Sequence, residues 1–132
     1  MAIYIDDKGN LELYQGDSGN IKFSNLPTDK DYLVSFAIKD LKSGEIMFEL
    51  SQQSEQADNV TFNVSTELTE KLTIPPRSLT YTYTYGVKVT SPEGTEDTLI
   101  PVVNFDENNN PIFSSPLTVI VHQKFVEGKV NG

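Results

Sequence analysis

The sequence predicts an all-β protein: an antiparallel, immunoglobulin-like or jelly-roll-like β-sandwich of about eight strands, with one short helical turn near 66–72. Two observations carry that expectation. Apolar and polar residues alternate through one short run after another, and Gly, Asp, Asn and Pro cluster between the runs. Side chains on a strand point to opposite faces in turn, so each alternating run has a dry side and a wet side. Antiparallel sheets accept one solvated face more readily than parallel ones do.

Along the chain, Asp7-Lys8-Gly9-Asn10 reads as the first turn and Leu11–Tyr14 as a strand. Gln15-Gly16-Asp17-Ser18-Gly19-Asn20 is a Gly-rich turn before Ile21–Phe23, with Asp17 and Ser18 expected to bond the backbone. Tyr32, Val34, Phe36 and Ile38 share one face of the next strand. Asp40-Leu41-Lys42-Ser43-Gly44 forms a hairpin turn into a strand whose Ile46, Phe48 and Leu50 are expected to face inward together. Ser51 to Asp58 is polar and reads as a surface loop, and Val60, Phe62 and Val64 mark the following strand.

Thr66-Glu67-Leu68-Thr69-Glu70-Lys71-Leu72 has helical character, with Thr66 as the expected cap and leucines four apart. Pro75 and Pro76 stop it. The strand after it carries Tyr81, Tyr83, Tyr85, Val87 and Val89 on one face. A leucine-bearing turn before a tyrosine-rich strand resembles the crossing of immunoglobulin-like or fibronectin-type sandwiches, where a Tyr hydroxyl bonds back to the crossing backbone. Ser91-Pro92-Glu93-Gly94 is a turn, Asp106 to Pro111 a loop, and Leu117, Val119 and Val121 alternate in a last strand. Residues 1–124 are expected to form one domain and 125–132 a terminal tail or docking arm, with Phe125, Val126 and Val130 as possible interface residues.

Composition narrows the function. The chain of 132 residues carries 10 Lys and Arg against 19 Asp and Glu, a net charge of −9, and has no Cys and one His. Disulfides, thiolate metal sites and cysteine catalysis are excluded. The acidic balance argues against nucleic acid and against an anionic membrane surface as partners. The N-terminal residues lack the basic start and apolar run of a secretory signal, and no stretch is apolar enough to span a bilayer, so synthesis and release in the cytoplasm are expected.

No constellation points firmly to catalysis, and no cofactor or metal is expected. Gly16-Asp17-Ser18-Gly19 matches the nucleophile tetrapeptide of chymotrypsin-like proteases, but Asn20 follows where that family has Gly. The sole His, His122, comes after the Ser rather than before it. Asp106, Asn108 and Asn110 open like a calcium loop, yet Pro111 stands where the turn needs Gly and Leu117 where it needs Glu. Asp6, Asp7, Asp29, Asp31, Glu93, Glu96 and Asp97 fall in predicted turns, and carboxylate pairs for glycoside cleavage are defined by spatial separation, not by sequence neighbours. Tyr4, Tyr14 and Tyr32 are the candidates for an exposed aromatic platform.

The order of motifs carries a resemblance. The Gln15-Gly16-Asp17-Ser18-Gly19 turn precedes Ile21-Lys22-Phe23. Val34–Asp40, Ile46–Leu50 and Val60–Ser65 follow, then Tyr83–Val89, the Glu93-Gly94-Thr95 turn and Asp97–Ile100. Together they resemble small β-sandwich accessory proteins of tailed bacteriophage virions, and the pattern is similar to the N-terminal domain of the upper baseplate protein family. The resemblance spans roughly residues 11–121 and rests on turns and strands. It implies a non-enzymatic virion structural or accessory protein, such as a capsid decoration, head-fibre, tail or baseplate component. Its implied partners are other virion proteins and further copies of itself. The chain has no distal receptor-carrying region like that of the baseplate family, which favours a stand-alone accessory subunit. The alternative is a carbohydrate- or receptor-binding β-sandwich module.

Overall fold

The structure is a computed structural model that describes residues 3–100, 103–105, 107–108, 111–113 and 117–124. Eleven strands and one helix follow one another: β1 (Ile3–Ile5), β2 (Leu11–Tyr14), β3 (Gly19–Phe23), β4 (Leu33–Lys39), β5 (Ile46–Gln53), β6 (Val60–Val64), α1 (Thr66–Glu70), β7 (Thr80–Thr90), β8 (Glu96–Ile100), β9 (Val103–Phe105), β10 (Pro111–Phe113) and β11 (Thr118–His122). The protein is an all-β sandwich. A seven-stranded sheet runs β1-β2-β11-β7-β4-β5, with β8 also on β7. Facing it is a two-stranded sheet, β3-β6, while β9 and β10 form a separate hairpin.

Alternation sets the core. Val34, Phe36 and Ile38 of β4, Tyr83, Tyr85, Val87 and Val89 of β7, and Val119 and Val121 of β11 turn inward and are buried. Ile21 and Phe23 of β3 and Val60, Phe62 and Val64 of β6 meet them from the small sheet. Aromatic rings join the layers: Phe36 lies 5.4 Å from Phe23, 5.7 Å from Phe62 and 5.7 Å from Tyr85, centroid to centroid. Such pairs add to the area they bury.

The long strand β7 organises the large sheet. One of its edges takes β4 along Thr84–Thr90. The other takes β11 along Thr80–Thr84 and then β8 along Val87–Thr90. On that edge β8 ends at Ile100, opposite Val87, and β11 begins at Thr118, opposite Thr84. Leu117 carbonyl, just before β11, accepts from Thr84 Oγ1 at 2.8 Å.

The structure departs from the sequence expectation at five points. First, not every pair is antiparallel: β2 and β11 run parallel, with Leu11 opposite Val119 and Leu13 opposite Val121. A parallel pair needs a long crossover, and here nearly the whole chain supplies it. Second, Ile46 faces outward and is 54% exposed. An irregularity in the β4–β5 ladder pairs Ile38 with Phe48 but Lys39 with Ile46, so the extra residue Met47 reverses the facing of Ile46. Third, Ser51–Gln53 continue β5 rather than opening a loop, because Ser35, Val34 and Leu33 extend the ladder opposite them. Fourth, the helix cap is Ser65, whose Oγ accepts from Leu68 N at 3.3 Å; Thr66 is already the first helical residue. Fifth, the alternation does not report β1, β9 and β10, because each is only three residues long, too short to establish a period.

Candidate interaction surface

The Gly16-Asp17-Ser18-Gly19 turn carries the chain from the large sheet to the small one, and the short helix fastens it. Thr69 of α1 is fully buried. Its Oγ1 accepts from Gly16 N at 3.0 Å and donates to Asp17 carbonyl at 2.7 Å. Gln15 Nε2 adds a bond to Leu72 carbonyl at 3.3 Å. Gly16 sits at φ +85°, which glycine adopts without the penalty a Cβ would bring. The turn is thus held by a threonine hydroxyl from another element, not by its own Asp17 and Ser18 side chains. Ser18 is exposed. The structure brings His122 to the base of the turn, where its carbonyl accepts from Gln15 N at 2.9 Å. Its imidazole, however, is engaged by Glu12 Oε2 and stacks on Tyr14 at 4.8 Å. Serine and imidazole are not joined as nucleophile and base.

The tyrosines of β7 act as fasteners. Tyr83 Oη donates to Thr73 carbonyl at 2.5 Å, the corner bond the sequence leads one to expect. Tyr85 Oη donates to Gly9 carbonyl in the β1–β2 turn, and burial pushes its phenol up to about 12. Burial also raises Tyr83. Tyr81 Oη donates to Asp40 Oδ1 at 2.9 Å, which raises the phenol and lowers the carboxyl. Asp40 further accepts from Lys42 N and Ser43 Oγ at 3.1 Å each, closing the β4–β5 turn.

Several other carboxylates are similarly occupied. Asp6 accepts from Asn10 N at 2.8 Å and Lys8 N at 2.9 Å, and these backbone bonds, that of Asn10 foremost, hold its carboxyl below the usual range. Asp31 accepts from Glu55 N at 2.8 Å and Asp29 from Tyr32 Oη at 2.8 Å. Glu93 pairs with Lys30, and Glu96 with Lys88 at 2.6 Å. Among the described residues no three His, Cys, Asp or Glu side chains converge to hold a metal ion. No described helix is long and apolar enough to cross a membrane.

Among the described residues, the outer face of the large sheet is left open. A trough of about 350 Å³ runs over β4 and β7, floored by Ala37, Gly86 and the backbone at Val87 and walled by Ile46, Leu41 and Ile100. Leu41 and Ile46 are 56% and 54% exposed. Lys39, Lys88 and Glu49 place charges beside it. Gly86 keeps the floor low: a Cβ there would stand 3.1 Å from Ile100 carbonyl, where the end of β8 closes over it. A second groove of about 380 Å³ lies at the end of the sandwich, between Pro75, Pro76, Ile74, Met47 and Tyr81, with Asp40 and Glu45 at its edge.

The proposed aromatic platform is not assembled. Tyr4 is 57% exposed on β1, Tyr14 stacks on His122, and Tyr32 is bonded to Asp29, so the three line no common groove. Of the calcium-like loop, Glu107 and Asn108 are exposed turn residues, while Asp106, Asn109 and Asn110 lie outside the described residues. Phe125, Val126 and Val130 also lie outside them. The trough itself escaped sequence reasoning, because Ile46 reaches it only through the ladder irregularity and Gly86 reads as one polar-face position among threonines. Comparison of the chain with protein-family models, curated proteins and solved structures returned no match.

Proposed function

We propose that this chain is a non-enzymatic structural or accessory protein of a bacteriophage virion, an immunoglobulin-like module that works through protein–protein contacts. The observation that carries the reading is the division of labour between polar groups and surface. Asp6, Asp29, Asp31, Asp40, Glu93 and Glu96 are engaged in turns, loops and surface ion pairs, whereas the largely apolar trough on the outer sheet face is left uncovered among the described residues. Exposed apolar surface of this kind marks interaction sites. The corner bond of Tyr83 and the Gln15–Gly19 turn support the sandwich type and the resemblance. Mass spectrometry of purified particles from the phage that encodes the chain is the direct test. The chain should be a stoichiometric component, and substitution of Leu41 and Ile46 by Asp should lower its incorporation while the protein stays folded. Its absence from particles removes the proposal.

A second reading, a carbohydrate- or receptor-binding module, draws on the groove beside Tyr81. There an aromatic ring, two prolines and two carboxylates line one depression. Titration with a glycan panel tests it: binding that Tyr81→Ala abolishes is the expected result, and no binding across the panel sets the reading aside.

A further inference from the structure

The ends of the large sheet are unequal. At one end β1 is three residues long, and short edge strands resist pairing. At the other, β5 runs for eight residues, Ile46–Gln53, and among the described residues no strand pairs with its outer edge. It is the longest such edge among the described residues. Its sequence holds one charge, Glu49, and neither Lys nor Pro, the residues that most often protect an edge. The small-sheet edges have five residues each and β3 carries Lys22, while β8 carries Glu96 and Asp97.

The backbone groups on that edge can be assigned. Ser54 N donates to Tyr32 carbonyl at 2.8 Å, which fixes the phase of the ladder. Bonded and non-bonded pairs alternate in an antiparallel ladder. Gln52, Leu50 and Phe48, opposite Val34, Phe36 and Ile38, therefore turn their N–H and C=O groups into the sheet. Gln53, Ser51 and Glu49 turn theirs out to the free edge. A row of outward amide groups is satisfied by another extended strand.

We infer that this strand is β5 of a second copy, added antiparallel across a two-fold axis that passes through Leu50. Symmetry and side-chain facing leave few registers. The two-fold axis of an antiparallel pair keeps each sheet face on its own side, so a residue must oppose one of the same facing. An axis between residues would set core-facing Leu50 against outward Glu49 and is excluded. An axis through Glu49 would set two carboxylates against each other, which is destabilising. An axis through Ser51 shortens the overlap. An axis through Leu50 gives the longest overlap free of a Glu–Glu pair. Glu49 and Ser51 then exchange backbone bonds with Ser51 and Glu49 of the second copy, and the half-buried Leu50 meets its own counterpart. Two copies of net charge −9 repel over distance, so salt strengthens the association by screening.

The test uses the full chain in solution and is independent of whether particles contain it. Sedimentation over a range of concentrations should show a dimer that tightens with added salt. Glu49→Pro removes an N–H that serves no intrachain ladder bond, and it should weaken dimerisation by roughly tenfold or more. Because the chain has no Cys, Leu50→Cys gives one thiol per copy. Mild oxidation should link two copies through it, since the two Leu50 positions face each other as a close, non-bonded pair. Cross-linking of the Leu50→Cys dimer supports the register even where Glu49→Pro fails to fold. A chain that stays monomeric at every concentration overturns the inference. So does a dimer that Glu49→Pro leaves intact and Leu50→Cys does not cross-link.

Discussion

The inner face of the large sheet presents Val34, Phe36, Ile38, Tyr83, Tyr85, Val87 and Val119, each at most 3% exposed. The outer face of the same strands presents Ser35, Ala37, Lys39, Thr84, Gly86 and Lys88. Both faces hang on one set of backbone bonds, so the ladder does not account for the difference. The inner face has a second layer to bury against and tyrosine hydroxyls that reach across to Thr73 and Gly9. Among the described residues no such layer covers the trough on the outer face. The buried core lies on one side of the sheet, and the open trough on the other.

That contrast breaks most directly at Phe36, whose ring meets those of Phe23, Phe48, Phe62 and Tyr85. Phe36→Ala should cost about 3–5 kcal/mol in urea unfolding, and Tyr85→Ala a similar amount. A loss below about 1 kcal/mol at either position would place the core on the wrong side of the sheet.

Alkaline pH probes the same face more gently. Tyr85 titrates near 12 in the folded chain against about 10 unfolded, so the folded state holds its proton more tightly. Its contribution is fully present below pH 10 and is lost as pH rises toward 12, on the order of 2–3 kcal/mol in all. Denaturation midpoints across that window should fall for the native chain and fall less for Tyr85→Phe.

Next in size is Thr69→Val, which keeps the shape of the side chain but strips Gly16 N and Asp17 carbonyl of their partner. It should cost about 1–3 kcal/mol, measured as above. The outer face supplies the smallest effect. Ile46→Ser should change monomer stability by less than about 0.5 kcal/mol, because the side chain is mostly in water already. A larger loss would mean that the trough is part of the core.

How far these features can be read from sequence depends on how local their cause is. Strand faces were legible wherever a period of two ran unbroken, as in β4, β6, β7 and β11, and the Tyr83 corner was legible because leucine, proline and tyrosine fall close together. Ile46 was not legible, since its facing turns on which residue of the opposite strand it meets. Ser51–Gln53 look like loop by composition and become strand because Leu33–Ser35 are available to pair. Thr69 gave no sign of its role, since its partners lie more than fifty positions away in the chain. The parallel pairing of β2 with β11 joins opposite ends of the sequence, and no local pattern reports it.

That last pairing bears on how the molecule is made. β2 sits between β1 and β11, so it reaches β7 only through a strand that is synthesised more than a hundred residues later. Until then the amino-terminal ribbon has no seat, and the flank of β7 that β11 will occupy stands open with Tyr81 and Tyr83 beside it. Contacts this distant in sequence slow folding, and unseated edges in growing chains invite mispairing. The large sheet therefore closes only when β11, more than a hundred residues downstream of β2, takes its place between β2 and β7.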